Sequence, residues 1–361
     1  MLIRKSVAVL AATYIAGIAL AMIGPMIMPA NYYFDTATIR ESMLTARDLA
    51  INDSFNNTAL VYRWLGFGTV LPDALAGPIS YTAVFFAIIA SAGLARVRWR
   101  PLLFALFSAW NVPLAIYDGT HSKEAIALLV VAAMAGLSRS AAGVALAACV
   151  GLLYAVLFRN YWGPVLVLWL AMLGAWRSGG GWTLRLGAAV LMILPLSLAA
   201  YQYSGMWLSD GRTVVVDARA FDPDSATIFA NLLPNTSAVT DLVNTVAGWA
   251  MLMAPVFLLH LGGMQHVTFA GFQFANTALF VLSQWQARRS GDLDSAVAWR
   301  FAAATTFCIA YTLVQGMFEP DFGSFAKHEV NLLPMLFFVL LHSPRPRGSG
   351  PSWAPAFAKE P

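Results

Sequence analysis

Ten continuous apolar runs limit what this chain can fold into. They lie near 6–29, 78–95, 101–117, 124–137, 141–157, 163–176, 186–203, 266–285, 298–317 and 329–342. About 20 apolar residues in a helix cross a bilayer, and the runs approach that length once the polar residues at their ends are included. A membrane β-barrel would alternate apolar and polar residues, and these runs do not. Only 11% of the residues are charged, roughly half the share of a soluble domain. The sequence therefore predicts an all-α polytopic membrane protein with about ten transmembrane helices. In this reading residues 1–343 form one transmembrane domain with long outer loops at 30–77 and 204–244. The segment 344–361, rich in Pro, Gly and Ser, is expected to be a disordered cytoplasmic tail.

An eleventh run, 245–262 ("TVAGWAMLMAPVFLLHLG"), controls the sidedness of everything after it. If it does not cross, fourteen of the 22 lysines and arginines are cytoplasmic and eight are outside. If it does cross, the later loops invert and the cytoplasmic excess is lost. That excess orients membrane proteins. The run is therefore expected to be a re-entrant or interfacial segment broken near Pro255, with both termini cytoplasmic. Such breaks occur where protein covers the backbone. The acidic residues then collect on the outer face, fifteen of 18, and chemistry is expected there.

Four stretches of that face stand out. In "GTHSKEAIALL", Ser122 can cap a helix, and Lys123 then occupies a first turn where the macrodipole disfavours a cation. A bound anion would relieve that conflict. His121 and Glu124 are three apart and can share a face. In "LLYAVLFRNYWGPVL", Arg159 sits at a membrane boundary with Tyr161 and Trp162. In "NTALVYRWLGFG", Arg63 lies among apolar residues, so partial burial is expected, with Asp73 or a ligand phosphate as partner. "FEPDFGSFAKHEVNLL" offers Lys327 as a cation and His328 as an acid or base near neutral pH. Glu319, Asp321 and Glu329 are possible bases or orienting groups. Snorkelling and aromatic belts are the ordinary alternatives for these positions. Arg212 and Arg219 sit among aspartates and are expected to pair with them on a solvated surface.

The sequence has no Walker A, GxGxxG or HExxH pattern, and no cofactor is implied. The short Asp/Pro turns at Asp222–Asp224 and Glu319–Asp321 carry metal-like spacing, but such turns are common and no metal site is assigned. Cys149 and Cys308 lie inside apolar runs and read as buried small hydrophobes.

Cations and a histidine on the outer face at membrane depth suit a lipid-linked anion such as a polyprenyl diphosphate glycan. The stretches "HSKEAIALL", "LYAVLFRNYW" and "EPDFGSFAKHEVNLLP" resemble parts of the Wzy-type O-antigen and exopolysaccharide polymerases of bacterial envelopes. The size, the helix number and the late outer loop are similar to those of that family as well. The resemblance implies a multi-pass protein of the bacterial inner membrane. It implies transfer of a growing glycan from undecaprenyl diphosphate to a new lipid-linked repeat unit. Arg63, Lys123, Arg159 and Lys327, with His121 beside them, would bind the diphosphate. His328 would be the base, with Glu124 or Glu329 next. Its partners would be lipid-linked oligosaccharide, membrane lipids and a chain-length regulator and flippase of the same pathway; nucleic acid is not expected. Two other classes stand beside it. One is a different polyprenyl-phosphate glycosyltransferase or an O-antigen ligase. The other is a non-catalytic polysaccharide transport or assembly component. The monophosphate enzymes usually carry paired acids after the first span, where this chain has a lone Asp35.

Overall fold

The computed structural model describes residues 5–94, 101–179, 181–219, 227–290 and 296–342. The tail 344–361 and the pair Asp222–Asp224 lie outside the described residues. Every named element is helical. In chain order these are α1 (Lys5–Ile27), α2 (Phe34–Thr45), α3 (Ser54–Trp64), α4 (Ala76–Ala92), α5 (Pro101–Tyr117), α6 (Lys123–Leu137), α7 (Ala141–Leu157) and α8 (Trp162–Arg177). There follow α9 (Trp182–Ser204), α10 (Asp210–Ala218), α11 (Ala238–Met253), α12 (Val256–Leu261), α13 (Met264–Ser290), α14 (Ala296–Phe318), α15 (Phe322–Glu329) and α16 (Leu333–Leu341). Each of the ten apolar runs has become a helix.

Among the described residues, five stretches are long and apolar enough to cross a membrane: Val7–Ile27, Asp73–Ala92, Trp182–Ser204, Val297–Phe318 and Phe322–Leu341. α5, α7, α8 and α11 are shorter apolar helices. Large apolar side chains face outward on these helices. α9 turns Leu184, Leu191 and Leu198 outward, and α7 exposes Leu146, Leu152 and Leu153. The polar side chains of Ser197, Gln273, Asn276, Thr305, Thr306 and Gln315 are buried instead. A polar group in lipid needs a protein partner, so such groups turn inward.

α14 and α16 form the centre, packed against α4, α6, α8, α11 and α13. α11 and α14 approach through two glycines. A Cβ on Gly248 would lie 2.6 Å from the Gly316 carbonyl oxygen, and one on Gly316 would lie 2.7 Å from the Trp249 nitrogen. Small residues allow such close crossings.

The apolar run 245–262 is split between α11 and α12 at Pro255, which caps α12. The Met253 carbonyl at the end of α11 accepts from Thr277 Oγ1, 2.9 Å away and halfway along α13. α12 then packs on α13, and Leu258 joins Phe229, Leu252, Ala270, Phe322 and Phe325 in a small cluster. Gly262 and Gly263, both with positive φ, reverse the chain into α13, a conformation glycine adopts without strain.

The loops gather at two ends. At one end, Arg300 donates to the carbonyls of Ser91 and Ala135, and His342 stacks on Phe338. At the other end, the segment 30–77 folds as a cap in which α2 and α3 pair around Ile39, Met43, Leu60, Tyr62 and Phe67. Asn57 Nδ2 ties this cap to the Leu157 carbonyl. The Tyr62 hydroxyl donates to the Thr120 carbonyl, 3.1 Å away, and accepts from the Ser122 amide at 2.9 Å. Burial pushes the Tyr62 hydroxyl up to about 12, so it stays a donor.

Candidate functional site

The end that carries the cap also carries Lys123, Glu124, Arg159, Lys327 and His328. Ser122 caps α6 as its sequence predicts, its Oγ accepting from the Glu124 amide at 3.0 Å. The cap fixes Lys123 and Glu124 in the first turn. α7 ends at Leu157, and the turn that follows swings Arg159 back over α6. The guanidinium meets Glu124 with both Nη atoms: Nη1 is 3.0 Å from Oε2, and Nη2 donates to Oε1. Nη1 also donates to the Tyr161 hydroxyl at 2.8 Å. The pair is sealed, with Glu124 0% and Arg159 7% exposed. Two parallel bonds from a planar fork make the strongest kind of ion pair.

Asp321 caps α15, its Oδ1 accepting from Ser324 at 2.7 Å. α15 carries Lys327 and His328 in its last turn. Glu319 holds the Nδ1 of His328. Nε2 faces Glu124 Oε1 at 3.4 Å, well beyond the usual hydrogen-bond length of about 2.9 Å. The ring is thus held between two carboxylates, Glu319 on Nδ1 and Glu124 beside Nε2. After α15, a 3-10 turn (Val330–Leu332) places Asn331, whose Nδ2 donates to Glu124 Oε2 at 2.8 Å. The same nitrogen also donates to the Tyr311 hydroxyl at 3.2 Å.

Lys123 and Lys327 converge on Asp35 of α2. Lys123 Nζ is 3.4 Å from Oδ1, and Lys327 pairs with Oδ2. Burial alone would raise the Asp35 carboxyl, but the two lysines outweigh it and hold it below its usual range. Lys123 also lies over the Phe55 ring, 3.8 Å from its centre, a cation–π contact.

The fold thus brings together Lys123, Glu124, Arg159, Lys327 and His328. It does not bring in the other three predicted residues. Arg63 is exposed, donates to the Ala46 carbonyl at 2.7 Å and so closes the cap on itself. The expected partner Asp73 belongs to Arg40, 2.8 Å away. His121 is 3% exposed and lies under the rings of Tyr62 and Phe67, with Asp73 Oδ1 at 3.6 Å. Its side chain precedes the helix and does not share a face with Glu124. Burial lowers its proton affinity. Glu329 follows His328 but turns to Gln273 and Asn276 on α13, at 3.2 and 3.4 Å. It lines a cavity of about 470 Å³, together with Trp182 of α9, Thr277 and Phe280 of α13 and Thr312 of α14.

Arg212 differs from its expected solvated pairing. It is 1% exposed and donates to the Gly316 carbonyl in the gap the glycines leave. Burial brings its guanidinium down to about 10. Arg219 pairs with Asp321, 102 residues away in sequence, at 2.8 Å. Glu319 and Asp321 face different partners, and among the described residues no cluster of three or more His, Cys, Asp or Glu is arranged to hold a metal.

One residue escaped the sequence reading. Asp118, at the end of α5, is 0% exposed, and neither carboxylate oxygen has a hydrogen-bond partner among the described residues. Burial, then the charge of Glu124, pushes its carboxyl well above the usual range. A carboxyl at the end of an apolar helix beside a capped turn was the available signal.

Compared with known protein families, curated proteins and solved structures, the chain matches none.

Proposed function

We propose that the chain polymerises lipid-linked oligosaccharide repeat units at the outer face of the bacterial inner membrane, with a polyprenyl diphosphate as leaving group. The observation that carries this reading is the dyad of His328 and Glu319, set beside two partly exposed lysines at one end of an apolar bundle. Glu319 orients the ring, and Nε2 can take the proton of an acceptor hydroxyl once it has given up the proton that Glu319 and Glu124, on either side of the ring, favour. Lys123 and Lys327 stabilise the charge that grows on the departing diphosphate. Arg159, held by Glu124 and Tyr161, positions Glu124 rather than binding ligand itself. The 470 Å³ cavity between α9 and α13 offers apolar walls for an isoprenoid chain.

The topology proposed with it has ten crossings and both termini cytoplasmic. Three observations support it. The five segments assigned to the outer face by charge counting bind one another, through Lys327 and Asp35, Asn57 and Leu157, Tyr62 and Thr120, and Phe229 and Pro320. α11 starts at this end, beside Ser209 and Asn235. It stops halfway along α13, and α12 turns back, which is the shape of a re-entrant pair.

The test replaces His328 by alanine in a host strain that depends on the chain for long polysaccharide. The expected result is normal protein level with glycan of single repeat units. Long polymer at wild-type amount would refute the reading. A polysaccharide transport component would give polymer that is made but retained inside the cell.

A further inference from the structure

The two lysines beside His328 answer to a carboxylate from outside the bundle. The neighbouring cations have partners on the core: Glu124 for Arg159 and Glu319 for His328. Asp35 instead stands in the first turn of α2. That helix packs chiefly on α3 and on the turn before it, through Ile39 and Met43. Its further ties are slight. Thr36 Oγ1 reaches the His121 carbonyl at 3.3 Å. Arg40 reaches Asp73 in a pair exposed by 56% and 34%, and such surface pairs contribute little.

Asp35 also has the shape of a ligand. A carboxylate between two ammonium groups offers oxygens where a phosphoryl group would offer its own. Two lysines and one carboxylate leave a net charge of one, so removing Asp35 leaves two positive charges that a phosphoryl dianion would balance. Lys123, Lys327 and Asp35 are 15%, 23% and 18% exposed, so a ligand can reach them.

We infer that Asp35 is a built-in competitor for the Lys123–Lys327 anion site: it occupies the site when no ligand is bound, and a phosphoryl anion displaces it and frees α2. The inference rests on the lipid-diphosphate reading only for the identity of the natural ligand. The site itself takes an oxyanion, and a phosphoryl dianion matches its two positive charges. The apparent dissociation constant is the intrinsic one divided by the fraction of time Asp35 leaves the site free. If it fills the site four-fifths of the time, removing it tightens binding about fivefold.

The experiment measures inorganic pyrophosphate binding to the full chain in detergent micelles by calorimetry. Asp35→Asn is expected to bind about fivefold more tightly than wild type, and Lys327→Ala more weakly. Unchanged or weaker binding by Asp35→Asn overturns the inference, since a structural or ligand-holding aspartate gives that result. A second measurement uses the wild-type protein alone. Pyrophosphate should speed amide hydrogen exchange across 34–45 if α2 is released. Slower or equal exchange there overturns the inference even if Asp35→Asn does not fold. Failure of the polymerase reading looks different: His328→Ala would leave long polymer intact while Asp35→Asn still tightened pyrophosphate.

Discussion

Replacing Arg159 by alanine tests the buried charge network at its most enclosed point. The substitution leaves Glu124, 0% exposed, without its bidentate partner. The Asn331 amide at 2.8 Å and His328 at 3.4 Å remain near the carboxylate. Breaking a buried pair by removing one partner costs about 3–5 kcal/mol. The residual contacts place this case near the lower end, about 3 kcal/mol, which is roughly a hundredfold in the unfolding equilibrium. Unfolding in mixed micelles, followed by tryptophan fluorescence, reads that shift. A paired substitution, Arg159→Met with Glu124→Met, leaves no orphaned charge and should return to within about 1 kcal/mol of wild type. A loss below about 1 kcal/mol for Arg159→Ala would show that the pair is solvated, and the buried network would fall with it.

Three further outcomes follow from the same structure. Gly248→Leu should prevent α11 from seating against Gly316 and Arg212, because its Cβ meets a backbone carbonyl that does not yield; low yield of folded protein in detergent checks it, and a wild-type yield would contradict it. Asp118 has a folded carboxyl held above its free value of about 3.9 by burial and then Glu124, so stability present below that value is lost as pH rises toward the folded value. Asp118→Asn should therefore match wild type near pH 3 and exceed it increasingly above pH ~5; melting curves that stay parallel across that range would contradict the assignment. Glu319→Gln keeps the shape but weakens the hold on His328 Nδ1, and should cut the polymer yield at least tenfold while leaving pyrophosphate binding unchanged, which separates orientation of the ring from anion binding.

The helices were legible in the sequence because hydrocarbon permits few alternatives. An apolar run has to satisfy its own backbone, and each of the ten runs did so as a helix. Pro255 pointed to the break in 245–262, since it removes a backbone donor and crowds the preceding turn. The Ser122 cap was readable for the same local reason. The pairings were not legible. Arg159 and Glu124 are 35 residues apart, and Lys327 and Asp35 are 292 apart; no spacing rule links them. Arg212 misled because aspartates surround it in sequence, whereas the gap that receives it is built by glycines on two other helices. Glu329 misled in the opposite way, since adjacency to His328 suggested one site. A helix sends neighbouring side chains about 100° apart, and that turn delivers Glu329 to α13.

The most direct measurement is the lipid-linked material that accumulates when the chain is deleted from its host. Extraction and mass spectrometry of the membrane lipids should find polyprenyl diphosphate carrying one repeat unit, restored to long glycan by the wild-type chain and not by His328→Ala. Long glycan on polyprenyl diphosphate in the deleted strain would contradict a polymerase.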